Sequence, residues 1–313
     1  MPAETKGSLV DNTFVSYVEA KAAEAGDSTE RLYKFTPRST DVIVVGAPKT
    51  GTTWVQQILH QLRTNGDMNF QDIYDVTWWL PYYFMPVEGN DFEKDQVAEP
   101  RILKSHEEYE TIPKAPGVKY IYICRDPLDT TWSYVKFIGA FSGDIGADAV
   151  ISDQALFAHM GGPAGQKAKG TSELSVSWWS QRNNPNVLFV TFEDLKDNLK
   201  LCIKKIAEFV SIPVTPELLE KVYEHSTFEF MSKHKDKFSG ESEILAKSLG
   251  ASNWKPRLGM VRPTGGQTGQ GKSHLSETVK AVVQAKFEET VKAKLGYKTY
   301  QEQRKAMSLL AVD

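Results

Sequence analysis

Disulfide-stapled folds are excluded at once. The chain has only two cysteines in 313 residues, Cys124 and Cys202, and each lies in an apolar run where a buried thiol is expected. An excess of charge of one sign is also missing. The 37 Lys and Arg nearly cancel the 40 Asp and Glu, for a formal charge of -3, so no global field is available for nucleic acid or an anionic membrane. Any anion must therefore be held by a local constellation. Nowhere do about 18 consecutive apolar residues occur, and the opening MPAETKGSLVDN has no apolar core of the signal-peptide kind. We expect a cytoplasmic protein in a reducing compartment, with neither nucleic-acid nor membrane partners. Internal repeats and low-complexity tracts are absent as well.

What is present alternates between two periodicities. Asp41-Val-Ile-Val-Val-Gly46 is a short β-branched run ended by glycine and reads as a strand buried on both faces. In TTWVQQILHQL, the apolar Val55, Ile58, Leu59 and Leu62 recur at i, i+3, i+4 and i+7, which is a helix. Lys119 to Cys124 reads as a second strand, followed by a helix with Asp126 as N-cap and Pro127 in its first turn. Asn186 to Phe192 reads as a third, before a helix with Leu199, Ile203, Ile206 and Val210 on one side; Arg101 to Lys104 adds a short strand. The expected fold class is α/β: a single domain over 1–313, a central parallel sheet with helices on both faces, and ligands beyond the carboxyl ends of the strands. Residues 159–172, rich in glycine and lysine, and 232–243, highly charged without apolar periodicity, read as loops.

The turn after the first strand, Gly46-Ala-Pro-Lys49-Thr50-Gly51-Thr52-Thr53-Trp54, is P-loop-like. Glycines let the backbone approach an anion, and the following helix brings its positive end. It is not the nucleoside-triphosphatase version, in which lysine directly follows the second glycine; here Thr52 takes that place and Lys49 precedes the glycine. PKTGTTW resembles the 5'-phosphosulfate loop of the cytosolic sulfotransferases, which use 3'-phosphoadenosine 5'-phosphosulfate as co-substrate and no metal. The resemblance implies that Lys49 contacts the 5'-phosphate and bridging oxygen, that Thr50, Gly51, Thr52 and Thr53 surround the phosphate, and that Trp54 stacks on adenine.

A second anion segment runs from Arg125 to Tyr134. Arg125 leaves a strand beside a helix N-terminus, and Ser133 lies about two turns further on; the competing reading is a structural ion pair of Arg125 with Asp126 or Asp129. The segment resembles the family's 3'-phosphate site. Near the C-terminus, Gly266, Gly269 and Lys272 keep the family's glycine-x-x-glycine-x-x-lysine spacing, but the upstream arginine is displaced. Arg262 is favoured over Arg257 for the 3'-phosphate, with Gly265 and Gly266 supplying amides; residues 232–272 would form a flexible donor-covering region, and 1–30 an N-terminal extension. By the same resemblance Phe192 and Thr227 border the nucleotide, although Phe192 also reads as plain core.

Sulfuryl transfer needs a base for the acceptor and positive charge at the leaving phosphate. His106 follows the short run Arg101-Ile-Leu-Lys104-Ser105, and LKSH resembles the family's lysine-x-histidine catalytic segment, which implies His106 as base, Lys104 at the transferring oxygens and Lys49 at the leaving group. The small-molecule acceptor is expected against Trp78, Trp79, Tyr82, Glu107 and Phe137; Glu107 and Glu108 beside aromatics also suit a cationic acceptor, while a core aromatic patch is the plainer reading. A nucleotide kinase or a donor-binding protein without turnover are the rival classes. Lys286, Thr290 and Val291 partly match the family's dimer motif, with Leu295 where its acid belongs, so a monomer or a homodimer is expected.

Overall fold

The computed structural model describes residues 35–80, 92–142, 169–240 and 266–310. Five strands pair in parallel: β1 (Val42–Val45), β2 (Trp78–Trp79), β3 (Ile102–Ser105), β4 (Lys119–Cys124) and β5 (Val187–Thr191), in the order β2-β3-β1-β4-β5. The α-helices of four or more residues, in chain order, are α1 (Thr52–Arg63), α2 (Ile73–Val76), α3 (Pro127–Ser142), α4 (Thr171–Trp179), α5 (Phe192–Asp197), α6 (Leu199–Phe209), α7 (Pro216–Ser226), α8 (Phe228–Lys233), α9 (Gln270–His274), α10 (Glu277–Phe287) and α11 (Tyr300–Met307). The β-branched runs read from the sequence are thus strands, and the 3.6-residue pattern of 52–63 is a helix.

Alternation along β1 explains why its burial is continuous. Ile43 and Val45 point into a core with Tyr120, Tyr122, Trp178, Phe287 and Val291. Val42 and Val44 point the other way, into a core with Val55, Ile58, Leu59 and Leu62 of α1 and Ile203 and Ile206 of α6. A strand with both faces covered needs no polar alternation, and each such side chain contributes about 1.5–3 kcal/mol by leaving water. Val291 is fully buried in the first core, while Lys286 forms an ion pair with Glu173 at 3.7 Å.

Arg101 fixes the start of β3 against β1. Its Nε and one terminal nitrogen donate to the two carboxylate oxygens of Asp41 at 2.8 and 2.7 Å, and both residues are buried. That bidentate pair sits beside the Val42 to Ile102 register and therefore sets where the other end of β3, with Lys104 and His106, arrives next to Gly46. Asp126 caps α3 as expected, accepting from the amides of Leu128 at 2.8 Å and Asp129 at 3.2 Å.

One loop reading is corrected. Residues 232–238 belong to the end of α8 and a 3-10 turn, Lys235–Phe238. The sequence showed no period there because a single anchor suffices: Phe238 is fully buried against Phe70, and the Asp72 carboxylate accepts from the amides of Ser239 and Gly240 at 2.9 and 2.7 Å. Of the other loop, Thr171 and Ser172 open α4; residues 159–168 and 241–265 lie outside the described residues.

A candidate anion-binding cleft at the sheet switch point

β1 lies between β3 and β4, so the strand order reverses there, and the crevice beyond the carboxyl ends of these strands is where an open α/β sheet binds ligands. The turn 46–51 fills that crevice. A side chain on Gly46 would collide with the Ile123 carbonyl, and one on Gly51, whose φ is 110°, would meet Ile123 and Phe192 at 3.1 Å. Lys49 also has a left-handed φ of 72°, a conformation that costs a lysine on the order of 1 kcal/mol and concentrates at functional sites. Thr50, expected at the phosphate, is buried and turns both its hydroxyl and its amide to the Ala47 carbonyl, at 2.7 and 3.3 Å. Helix α1 then begins with no side-chain cap and no acid in its first turn. Its first N–H groups and its dipole are left for an anion.

Around this helix end lies an open cleft of about 1000 Å³, its mouth included, walled by Lys49, Thr52, Thr53, Trp54, Arg125 and Ser133 with Phe192 and Gly266. Four cationic side chains line it, Lys49, Arg125, Lys136 and Lys196, against one carboxylate, Asp129. A chain whose formal charge is -3 has gathered a local excess of three positive charges, four less one, at a helix N-terminus. Arg125 is 6% exposed, and its guanidinium stacks on the Phe192 ring at 4.0 Å and donates to the carbonyls of Lys49 and Gln267 at 3.3 and 3.2 Å. Burial pulls its pKa below the usual arginine value, with Asp129 and Glu193 acting against that. Asp129 gives both carboxylate oxygens to backbone amides and Asp126 caps α3, so the expected rival, an ion pair of Arg125 with either acid, is not the arrangement present. Phe192, read both as core and as nucleotide wall, is buried and also lines the cleft, with Trp54 edge-on at 5.5 Å and Arg125 on its face.

His106 follows β3 directly, beside the turn 46–51. Its Nδ1 bonds to the carbonyl of Gly46, which can only accept, so Nδ1 carries a proton. Trp79 packs edge-on against the imidazole at 5.4 Å. Lys104 is fully buried, donates to the Tyr74 hydroxyl at 2.8 Å and lies 3.9 Å from the Trp79 ring centre; it is not among the residues that line the cleft. Phe137 is buried under the Lys49 ammonium at 4.3 Å. Glu107 accepts from Thr111 at 2.8 Å, and burial raises its pKa above the usual carboxylate value.

Some expected site residues are placed elsewhere. Trp78 and Trp79 are core: Trp78 packs on Phe92, and Trp79 stacks on Tyr74. Thr227 uses its hydroxyl to cap α8, accepting from Phe230 at 3.2 Å and donating to Glu224 at 2.9 Å, and it is Phe228 that lines the cleft. Tyr82, Arg257, Arg262 and Gly265 lie outside the described residues. The sequence reading missed Asp129, Trp132, Lys136, Lys196, Met231 and Gln270 as lining residues. Lys136 sits three residues after Ser133 and four after Trp132, helical spacings that could have found them; Lys196 and Met231 reach the cleft only through tertiary packing.

The sulfotransferase domain family matches residues 39–294 of this chain. Sulfotransferase 1B1 of Canis lupus familiaris is 30% identical over 212 residues, 64% of this chain and 69% of that protein. Sulfotransferase 1E1 of Bos taurus is 28% identical over 207 residues, 64% and 69% of the two chains. Among solved structures, retinol dehydratase in a complex with retinol and PAP superposes with a TM-score of 0.63 at 18% identity, over 88% of this chain and 86% of that one. Mouse sulfotransferase SULT7A1 complexed with PAP gives 0.61 at 20%, over 92% and 95%. At these identities the structural likeness establishes the fold. No helix among the described residues is long and apolar enough to cross a membrane.

Proposed function

Because the chain belongs to the sulfotransferase family, we propose that it moves the sulfuryl group of 3'-phosphoadenosine 5'-phosphosulfate onto a hydroxyl or amine of a small acceptor, in the cytoplasm, leaving 3'-phosphoadenosine 5'-phosphate (PAP). The observation that carries this is the concentration of Lys49, Arg125, Lys136 and Lys196 around the uncapped N-terminus of α1. The residues present fit such a donor. Two phosphate-bearing ends call for two cationic groups, which the Lys49 turn and Arg125 with Ser133 would supply, while Phe192 and Phe228 would offer apolar walls to a purine.

When bound, the donor supplies a sulfuryl group joined to a good leaving group, a phosphate oxygen. The chain's residues do the rest. His106, oriented through its Nδ1–H bond to Gly46, takes the acceptor's proton at Nε2 as the acceptor oxygen or nitrogen attacks. Lys49 and the amides of Thr52 and Thr53 neutralise the charge left on the phosphate. Lys104, fixed by Tyr74 and Trp79, adds positive field from behind the transferring oxygens. Glu107 and Glu108 follow the base directly and favour an acceptor bearing positive charge.

The test is transfer of label from the donor to a panel of phenols, alcohols, amines and guanidinium compounds. Labelled product with stoichiometric release of PAP is expected. Tight PAP binding without transfer to any acceptor would leave a binding protein and overturn the proposal.

A further inference from the structure

A carboxylate in a cleft built for a polyanion works against the cleft. Asp129 lines the site together with Lys49, Arg125 and Ser133, yet it is only 2% exposed, and both its oxygens are committed: Oδ2 accepts from the amide of Gly269 and Oδ1 from the amide of Gly271, each at 2.7 Å. Those glycines belong to the segment that closes the cleft from the C-terminal side. Gly266, whose φ is 73°, lines the cleft; the Gln267 carbonyl accepts from Arg125 at 3.2 Å; and α9 begins one residue after Gly269, whose φ is 80°.

Three more contacts seat α9 on α3. Gly271 lies so close to the Leu128 carbonyl that any side chain there would collide with it. His274 stacks on Trp132 at 5.0 Å and 16°. Lys136 donates to the Gln270 side chain at 2.9 Å. Asp129 is the only one of these groups that contributes two charge-assisted bonds, and two bonds from one carboxylate to amides two residues apart fix the rotation of the segment as well as its distance.

We infer that Asp129 is a positioning residue: it clasps the 266–272 segment onto α3 so that the Gln267 carbonyl meets Arg125 and Gly266 faces Phe192 and Phe228, and it thereby sets donor affinity without touching the donor. This rests on the proposed donor. A carboxylate that merely faced the ligand would act with the opposite sign, and the isosteric change Asp129→Asn separates the two. An amide has one accepting oxygen and sets its NH₂ against the second glycine N–H, so one clasp bond is lost while the repelling charge is also removed.

In the full chain, Asp129→Asn should weaken PAP about tenfold by calorimetry and raise donor KM about tenfold without lowering kcat. Amide hydrogen exchange at Gly269 and Gly271 should quicken. Gly271→Ala, which leaves the carboxylate intact and only pushes α9 away from Leu128, should do the same, and it decides the matter should Asp129→Asn not fold. Unchanged or tighter PAP binding in the folded variants overturns the clasp. Exchange at the two glycines in ligand-free wild type is expected to be slow; rapid exchange there overturns the clasp independently, whereas wild type that fails to bind PAP counts against the donor assignment alone.

Discussion

Removing Arg125 should cost the ligand its 3'-phosphate contact and little else of the same kind. The guanidinium is 6% exposed, stacked at 4.0 Å on Phe192 and tied to the carbonyls of Lys49 and Gln267, so it presents its remaining donors from a fixed frame. A bidentate arginine on a desolvated phosphate contributes on the order of 2 kcal/mol or more, about thirtyfold in Kd. Arg125→Ala also loosens Phe192 and the two loop carbonyls, which harms every adenine nucleotide alike. The informative quantity is therefore a cycle: Kd of wild type and Arg125→Ala, each for PAP and for adenosine 5'-phosphate, measured by calorimetry at constant salt. The coupling between Arg125 and the 3'-phosphate should reach about 2 kcal/mol, and Arg125→Lys should recover part of it, because a point charge replaces the planar fork. Equal weakening of both nucleotides would remove Arg125 from the 3'-phosphate.

His106→Ala should lower turnover roughly 10²–10⁴-fold on a high-pKa hydroxyl acceptor while PAP affinity stays near wild type, with a smaller loss for acceptors already ionised; wild-type turnover would be fatal to the base assignment. Lys49→Ala should lose turnover and donor affinity together, since its charge acts in ground and transition states, and steady-state kinetics with PAP titration would read both. Acid sensitivity should trace in part to His60, which is fully buried beside Arg63 and whose pKa is lowered to about 4 from 6.5, chiefly by burial. Between those values the unfolded chain binds the proton and the folded one does not, so up to ~3 kcal/mol of stability is lost as pH falls from 6.5 towards 4. Asp72 and Asp126, each raised to about 6 from 3.8 by burial, act with the opposite sign in an overlapping window, so wild type must be read against His60→Gln by denaturant unfolding. A difference between the two proteins that does not change with pH would refute the assignment.

Short-range features were legible in the chain itself. The runs at 42–45, 119–124 and 187–191 are β-branched or aromatic and bounded by turn residues, and the 3.6-residue period of 52–63 admits only a helix, because local propensity and burial agree there. The glycine–lysine turn was legible too, since its backbone demands are local: Gly46 for close approach, Gly51 for a left-handed φ. Two kinds of fact lay beyond reach. The sequence could not tell a cleft wall from a core wall for Trp78 and Trp79, because an aromatic run reads the same in either place. Nor could it find the helical turn at 235–238, whose one anchor, Phe238, leaves no period.

What the sequence determined by itself is thus the class of the sheet and the backbone geometry of the turn, both fixed by neighbours a few residues apart. Tertiary structure alone decided which distant groups share the cleft. Lys196 and Phe228 come to the Lys49 turn from helices read only as amphipathic or not at all, and Gly269 reaches Asp129 across 140 residues. The tautomer of His106 is set by the carbonyl of Gly46, 60 residues away, through a strand register that the Arg101 to Asp41 pair holds. Such choices depend on loop closure and on packing between elements, whose free energies no local pattern of residues encodes.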